Sequence, residues 1–186
     1  VGYAALNASS GATNTAIGYY SQVATTTGGS NTAVGSNSLV ANTTGNYNTA
    51  IGTSALSANT TASDNVAVGW QTLTANTTGT LNVAVGNRAL RLNTTASNNV
   101  AVGYKALDVN TTGTTNVAIG ANALDANTTA DNNTAVGYAS LGANTTRPCN
   151  TAVGYYSLLS NPTGSTNPVD GRYALVSNTS SSKNVA

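Results

Sequence analysis

The chain has 186 residues and a formal net charge of +1, from six Lys and Arg against five Asp, with no Glu and no His. So sparse a charge leaves no basic patch for nucleic acid. Without His or Glu, His-based acid–base chemistry, the usual His/Cys metal sets and paired-Glu mechanisms are excluded, and the single Cys149 cannot found a disulfide framework.

The chain opens on Val1-Gly2-Tyr3, and from Asn14 onward one motif organises it. Asn-(Thr/Val)-Ala-(Val/Ile)-Gly starts at Asn14, Asn31, Asn48, Asn65, Asn82, Asn99, Asn116, Asn133 and Asn150, always 17 residues apart. An altered copy runs from Asn167 to Gly171, and the chain closes on Asn184-Val185-Ala186. A fixed period of this length marks a solenoid, each repeat being one coil stacked on the last. Joined end to end, the two termini complete another motif, and Met is absent, so the chain is expected to be a segment of a longer periodic fibre. Residues 1–160 form the regular array, and residues 161–186 are expected to continue it in degenerate form.

Within the coil 31–47, Thr32-Ala33-Val34 alternates large, small, large, the pattern of a short strand. A glycine ends that strand in each complete coil: Gly18, Gly35, Gly52, Gly69, Gly86, Gly103, Gly120, Gly137 and Gly154. A Gly recurring at one corner implies a positive φ there or close approach of another backbone. Residues 38–41 predict a second short strand around Leu39, and the Leu returns through Leu175. Asn42-Thr43-Thr44-Gly45 then turns the chain back. The expected architecture is all-β: a parallel β-solenoid of about eleven coils, with two short strands in each. Which strand face lines the interior stays open, as does whether the alternation Gly45, Ala62, Gly79, Ala96 marks a two-coil unit.

Frequent Gly, Asn, Thr and Ser argue against helices. One Leu per coil is too few for leucine-rich repeats, and five Asp are too few for calcium-binding β-rolls. A coil offers only about three sizeable apolar groups, each contributing roughly 1.5–3 kcal/mol when buried. Ordering a residue costs about 1.5 kcal/mol. So thin a core predicts self-association, with the open end coils capped or continued by further copies.

Asn-Thr-Ala-Val-Gly-Tyr, with the Ala-Leu that follows, resembles the head repeat of YadA-like trimeric autotransporter adhesins. The 17-residue form with Asn-Thr-Thr-Gly is similar to repeats of bacteriophage tail-fibre proteins. The likeness covers residues 1 to about 160 and weakens through Pro162, Pro168 and Asp170. It implies a left-handed β-roll or β-helix, a homotrimeric fibre and exposure on a cell or virion surface.

Two rows are candidate sites. Asn42, Asn59, Asn76, Asn93, Asn110, Asn127 and Asn144 each begin Asn-Thr-Thr, an acceptor pattern for N-glycosylation in a turn expected to be exposed. The same triplet is also good turn and ladder chemistry. The second row follows the corner glycine and includes Tyr19, Trp70, Tyr104, Tyr138 and Tyr155, aromatics that would stack on receptor sugars or cover neighbouring chains. The Asp residues and Arg88, Arg91, Lys105 and Arg147 are expected to be solvating. No catalytic, metal or cofactor site is expected, and no apolar run is long enough to span a membrane.

The expected function is a non-enzymatic shaft or head of an extracellular fibre, built by head-to-tail and lateral self-association. The alternatives are an adhesin head contacting host-surface glycan or protein, a glycan-coated fibril, and an ice-binding surface. The last suits the sequence least, because the paired Thr sit in a turn beside Gly.

Overall fold

Each regular motif forms one strand of three residues, because two β-branched side chains flank an Ala on a pleat, and the altered motif keeps the strand with Pro168-Val169-Asp170. The computed structural model describes residues 2–6, 10, 13–161 and 164–177. Its strands are β1 (Thr15–Ile17), β2 (Thr32–Val34), β3 (Thr49–Ile51), β4 (Val66–Val68), β5 (Val83–Val85), β6 (Val100–Val102), β7 (Val117–Ile119), β8 (Thr134–Val136), β9 (Thr151–Val153) and β10 (Pro168–Asp170). They make a single parallel sheet in strict chain order, and Ala33 pairs with Ala50 as Val34 pairs with Ile51. The fold is thus an all-β solenoid with a coil of about 17 residues and no helix among the described residues. About nine turns separate the first strand from the last. The expected count of about eleven includes partial repeats at the ends, and residues 178–186 lie outside the described residues.

The interior is a column of small and medium side chains. The central residue of each strand points inward, with Ala33, Ala50, Ala67 and the later Ala fully buried and Val169 buried in β10, while the flanking residues face outward and stay partly or well exposed. Leu39, Leu56, Leu73, Leu90, Leu107, Leu124, Leu141 and Leu158 fill the opposite side without exposure. A narrow coil has room for Ala across from Leu, and the bulkier Val or Thr turns out.

The second strand expected over 38–41 does not form, so each coil holds one strand rather than two. Asn37 and Leu39 lie at φ 56° and 49°. Two left-handed residues separated by one cannot belong to an extended ladder. The left-handed conformation costs Leu about 1–2 kcal/mol, whereas burying its side chain yields roughly 1.5–3 kcal/mol, so burial prevails. The segment still bonds along the axis, since Leu39 N–H donates to the Ala55 carbonyl at 3.0 Å.

At the strand's end both reasons for glycine apply together. Gly86 has φ 128°, and a Cβ there would sit 2.6 Å from the Gly103 oxygen. The following coil passes where a side chain would be.

From Gly45 to Ala130 the Gly/Ala alternation marks pairs of coils, although Gly28 and Gly45 are both Gly, and there the Gly29 N–H donates to Asn46 Oδ1 at 2.8 Å. The N–H groups of Asn46, Thr80 and Thr114, each after a Gly, donate to the side chains of Ser63, Ser97 and Asp131, each after an Ala (3.0, 2.9 and 2.6 Å). In the Gly coils a Cβ would approach the ladder amide oxygen, at 2.5 Å from Asn76 Oδ1 in the case of Gly79. One coil departs from the pattern: Gln22 takes the Leu position and Thr25 the Asn position. Both are fully buried, and neither the Gln22 amide nor the Thr25 hydroxyl has a hydrogen-bond partner.

Candidate functional site

Two columns of asparagine hold the coils in register. In the first, the residue before each strand accepts from the next coil and closes its own. Asn82 Oδ1 accepts the Asn99 N–H at 3.0 Å, and Asn82 Nδ2 donates to the Ala96 carbonyl at 2.9 Å. The second column is the Asn-Thr-Thr row. Asn93 Nδ2 donates to Asn76 Oδ1 at 2.8 Å and to the same Ala96 carbonyl at 2.9 Å, and Asn93 Oδ1 accepts from Asn110 at 3.1 Å. Ala96 O therefore joins both columns. Apart from Asn133 Nδ2 and Asn144 Oδ1, which have no partner, these are buried polar groups with their hydrogen bonds met, the condition under which burial is tolerated.

That geometry corrects the expected exposure of the Asn-Thr-Thr amides. Asn42, Asn59, Asn76, Asn93, Asn110, Asn127 and Asn144 all have their side chains inside the coil. From Asn59 to Asn144 the Nδ2 group spends its hydrogens on the preceding Asn and on a carbonyl three residues ahead. Nδ2 is the atom a glycan would be joined to, so the folded coil presents no acceptor there. Turn composition was the misleading signal: the chain does turn, but with the amide folded inward.

The aromatic row is at the surface. Trp70 and Tyr104 are each 48% exposed, and Tyr19, Tyr138 and Tyr155 are exposed as well. They do not make one continuous strip, because Ser36, Thr53, Asn87 and Ala121 occupy the same row. Instead they cluster towards the two ends. Tyr3 stacks on Tyr19 at 5.6 Å with Tyr20 edge-on, and Tyr138 stacks on Tyr155 at 5.3 Å with Tyr156 edge-on. A hydrogen bond with Tyr20 raises the Tyr19 phenol pKa, and burial followed by the Tyr138 hydroxyl raises that of Tyr156. Arg172 lies over both Tyr155 and Tyr173, at 5.4 and 5.0 Å from their centroids.

A second exposed feature is the outward face of the sheet. Ile17, Ile51, Ile119 and Val153 are exposed there, and the flanking Thr and Val are partly so. Nine strand spacings of 4.8 Å make this stripe about 43 Å long, or roughly 400 Å² of mostly β-branched surface.

Not all the charged residues are solvating. Asp108 is buried, receiving Arg91 Nε at 2.7 Å on one oxygen and an Arg88 nitrogen at 2.8 Å on the other. Asp131 Oδ1 accepts the Thr114 N–H described above. Arg91 and Asp108 follow the core Leu in successive coils, which stacks them along the axis, and that spacing was available in the repeat alignment. Cys149 is a free, exposed thiol. Among the described residues, no group of three or more His, Cys, Asp or Glu could hold a metal, and no helix is long and apolar enough to cross a membrane. No protein-family model matches this chain, nor does any curated protein or solved structure.

Proposed function

We propose that the chain is a structural rod, without enzymatic activity, that associates laterally with copies of itself as part of an extracellular fibre. The observation that carries this reading is the continuous register of ten strands, backed by one asparagine column from Asn14 to Asn167 and a second from Asn42 to Asn144. A design in which each coil repeats the last suits a load-bearing spacer, since every step offers the same bonds. The absence of His and Glu from the sequence leaves few residue types for catalysis.

Lateral association is supported by the outward β-branched stripe. Its roughly 400 Å² includes the Thr15, Thr32, Thr49, Thr134 and Thr151 side chains, so the apolar part is a row of Val and Ile within a mixed face and not a patch of that full area. A stable interface needs about 800 Å² from each partner, so the flanking aromatic row would have to contribute. Three chains per fibre is the number implied by the likeness to adhesin-head and tail-fibre repeats, and that likeness is also the basis for a cell- or virion-surface location.

Light scattering coupled to size exclusion tests the assembly, with electron microscopy of the same fractions. The expected mass is three times the 18.4 kDa chain, and the double variant Ile51→Lys, Ile119→Lys is expected to elute as a folded monomer. A wild-type protein that stays monomeric at high concentration would remove the fibre reading.

A further inference from the structure

The rod's flank is interrupted at one place. In the row that follows the core leucine, three consecutive coils carry Asp125, Gly142 and Leu159. In the row two residues after the corner glycine, the same coils carry Asn122, Ala139 and Tyr156. In these two rows the middle coil contributes only the Ala139 methyl, its Tyr138 ring lining the same hollow, and Leu159 Cδ1 and Asp125 Oδ1 lean to 3.1 and 3.5 Å from where a Gly142 Cβ would be. The result is an open cleft of about 520 Å³, a size typical of small-molecule sites. Its walls belong to coils two steps apart, about 9.6 Å between backbones at the 4.8 Å spacing.

The two walls differ in chemistry. On one side stand the Tyr156 ring and the Ser160 hydroxyl, with Tyr138 set edge-on to Tyr156 at 5.4 Å and 88°. The other side presents the Asp125 carboxyl and the Asn122 amide. An aromatic wall facing hydrogen-bonding groups suits a guest with an apolar face and a hydroxylated edge. Burial, with help from the Asp108 charge, raises the Asp125 pKa, and Lys105 opposes it. Charge decides among the guests that fit. Arg88, Arg91 and Lys105 against Asp108 and Asp125 leave this flank at +1 (three minus two). A cation is drawn to Asp125 but repelled by Lys105, whose charge acts on that carboxylate, and an anion would meet Asp125 directly, so an uncharged guest is the one that meets no repulsion here.

We propose that the cleft between Asp125 and Tyr156 binds an uncharged sugar ring, stacked on Tyr156 with its hydroxyls donating to Asp125. The site lies within one chain, so it does not depend on the fibre assembly proposed above, and its occupancy is measured on the monomeric Ile51→Lys, Ile119→Lys variant, where lateral packing of the aromatic row cannot cover Tyr138.

Saturation-transfer NMR on the intact chain tests this with methyl α-glucoside, methyl β-galactoside and N-acetylglucosamine as probes and tetramethylammonium as the cationic competitor. At least one sugar is expected to receive saturation, with affinity weakened at least about tenfold, a loss of roughly 1.4 kcal/mol, by Gly142→Leu, which fills the cleft. The Gly142 φ is not in the left-handed range, and a Cβ there would lie 3.1 Å from Leu159 Cδ1 and 3.2 Å from the Ala139 carbonyl, so the Leu159 side chain must shift by a few tenths of an ångström to admit it. Tyr156→Ser is the second variant, safe for folding because Ser54 occupies that row natively, and it should weaken binding similarly. Tyr19→Ser, in the distant aromatic cluster, should leave binding unchanged. The assignment is overturned if no sugar receives saturation, if transfer survives both cleft variants, or if tetramethylammonium alone binds.

Discussion

Replacing Asn93 by Asp changes one NH₂ group to an oxygen and so tests whether the buried amide column holds the coils. Asn93 Nδ2 donates at 2.8 Å to Asn76 Oδ1 and at 2.9 Å to the Ala96 carbonyl. In Asn93→Asp both contacts become acceptor against acceptor, while the bond from Asn110 to the remaining oxygen survives. Two lost bonds cost about 1 kcal/mol each, and a buried carboxylate without a partner brings the total to roughly 3–5 kcal/mol at neutral pH. The variant carboxyl therefore has its folded-state pKa raised above the unfolded value of about 3.9. A raised pKa means that stability is regained as pH falls through the folded value and levels off below the unfolded one. Urea unfolding followed by far-UV circular dichroism, from about pH 7 to about pH 4, measures the difference from wild type at each pH. The deficit should shrink to about 1–2 kcal/mol at the acid end, because a protonated Asp restores one donor. Asn98→Asp is the control: that residue is exposed at a corner, so its change should stay within about 0.5 kcal/mol. A neutral-pH deficit below about 1 kcal/mol, or one that does not respond to pH, would refute the column as the source of register.

Gly86→Ala should destabilise by at least about 2 kcal/mol in the same assay, since a Cβ at φ 128° would sit 2.6 Å from the Gly103 oxygen. Gln22→Leu should stabilise by about 1–3 kcal/mol, because it removes a buried, unpartnered amide and extends the leucine column. For Asp125, whose folded pKa is raised chiefly by burial, wild-type stability is greatest below the unfolded pKa and falls as pH rises through the folded one. Asp125→Asn should therefore gain under about 1 kcal/mol at pH 7, a modest figure because the group is half-exposed, with the advantage fading towards pH 4. An oligosaccharyltransferase offered the folded protein should leave Asn59, Asn76, Asn93, Asn110 and Asn127 bare by intact mass, while the same chain held in denaturant should accept glycans.

Periodicity made the solenoid legible before any coordinates. The strand triplets, the corner glycines and the leucine column all follow from residues recurring at one spacing. Two readings failed for related reasons. The segment around Leu39 looks like a strand because an apolar residue sits among small ones, yet nothing in its composition announces a φ of 49°. That conformation is imposed by the need to bring the side chain inside a narrow coil. Likewise Asn93 is a turn residue by type, and only stacking supplies the Asn76 and Ala96 oxygens that make its burial favourable. Alternation in Thr32-Ala33-Val34 left the inward face undecided, and coil width settled it in favour of Ala. The cleft was half-visible: Gly142 interrupts a row of larger residues, but the repeat pattern alone does not reveal that Ala139 and Gly142 face the same notch.

The sheet pairs each strand only with the one before and the one after. Length in such a molecule behaves like a counted variable. Excising any in-frame repeat unit joins two surfaces that already fit, and shortens the rod by one step of about 4.8 Å. Inserting a copy lengthens it by the same amount. Unequal recombination between near-identical coding repeats is therefore a route by which reach could be altered without any new contact having to be invented. The Gly/Ala alternation adds a parity preference. Changes by two coils keep Asn46-, Thr80- and Thr114-type donors opposite their Ser or Asp acceptors, whereas a change by one coil puts two like members side by side, an arrangement the chain already accommodates at Gly28 and Gly45, where the Gly29 N–H finds Asn46 Oδ1.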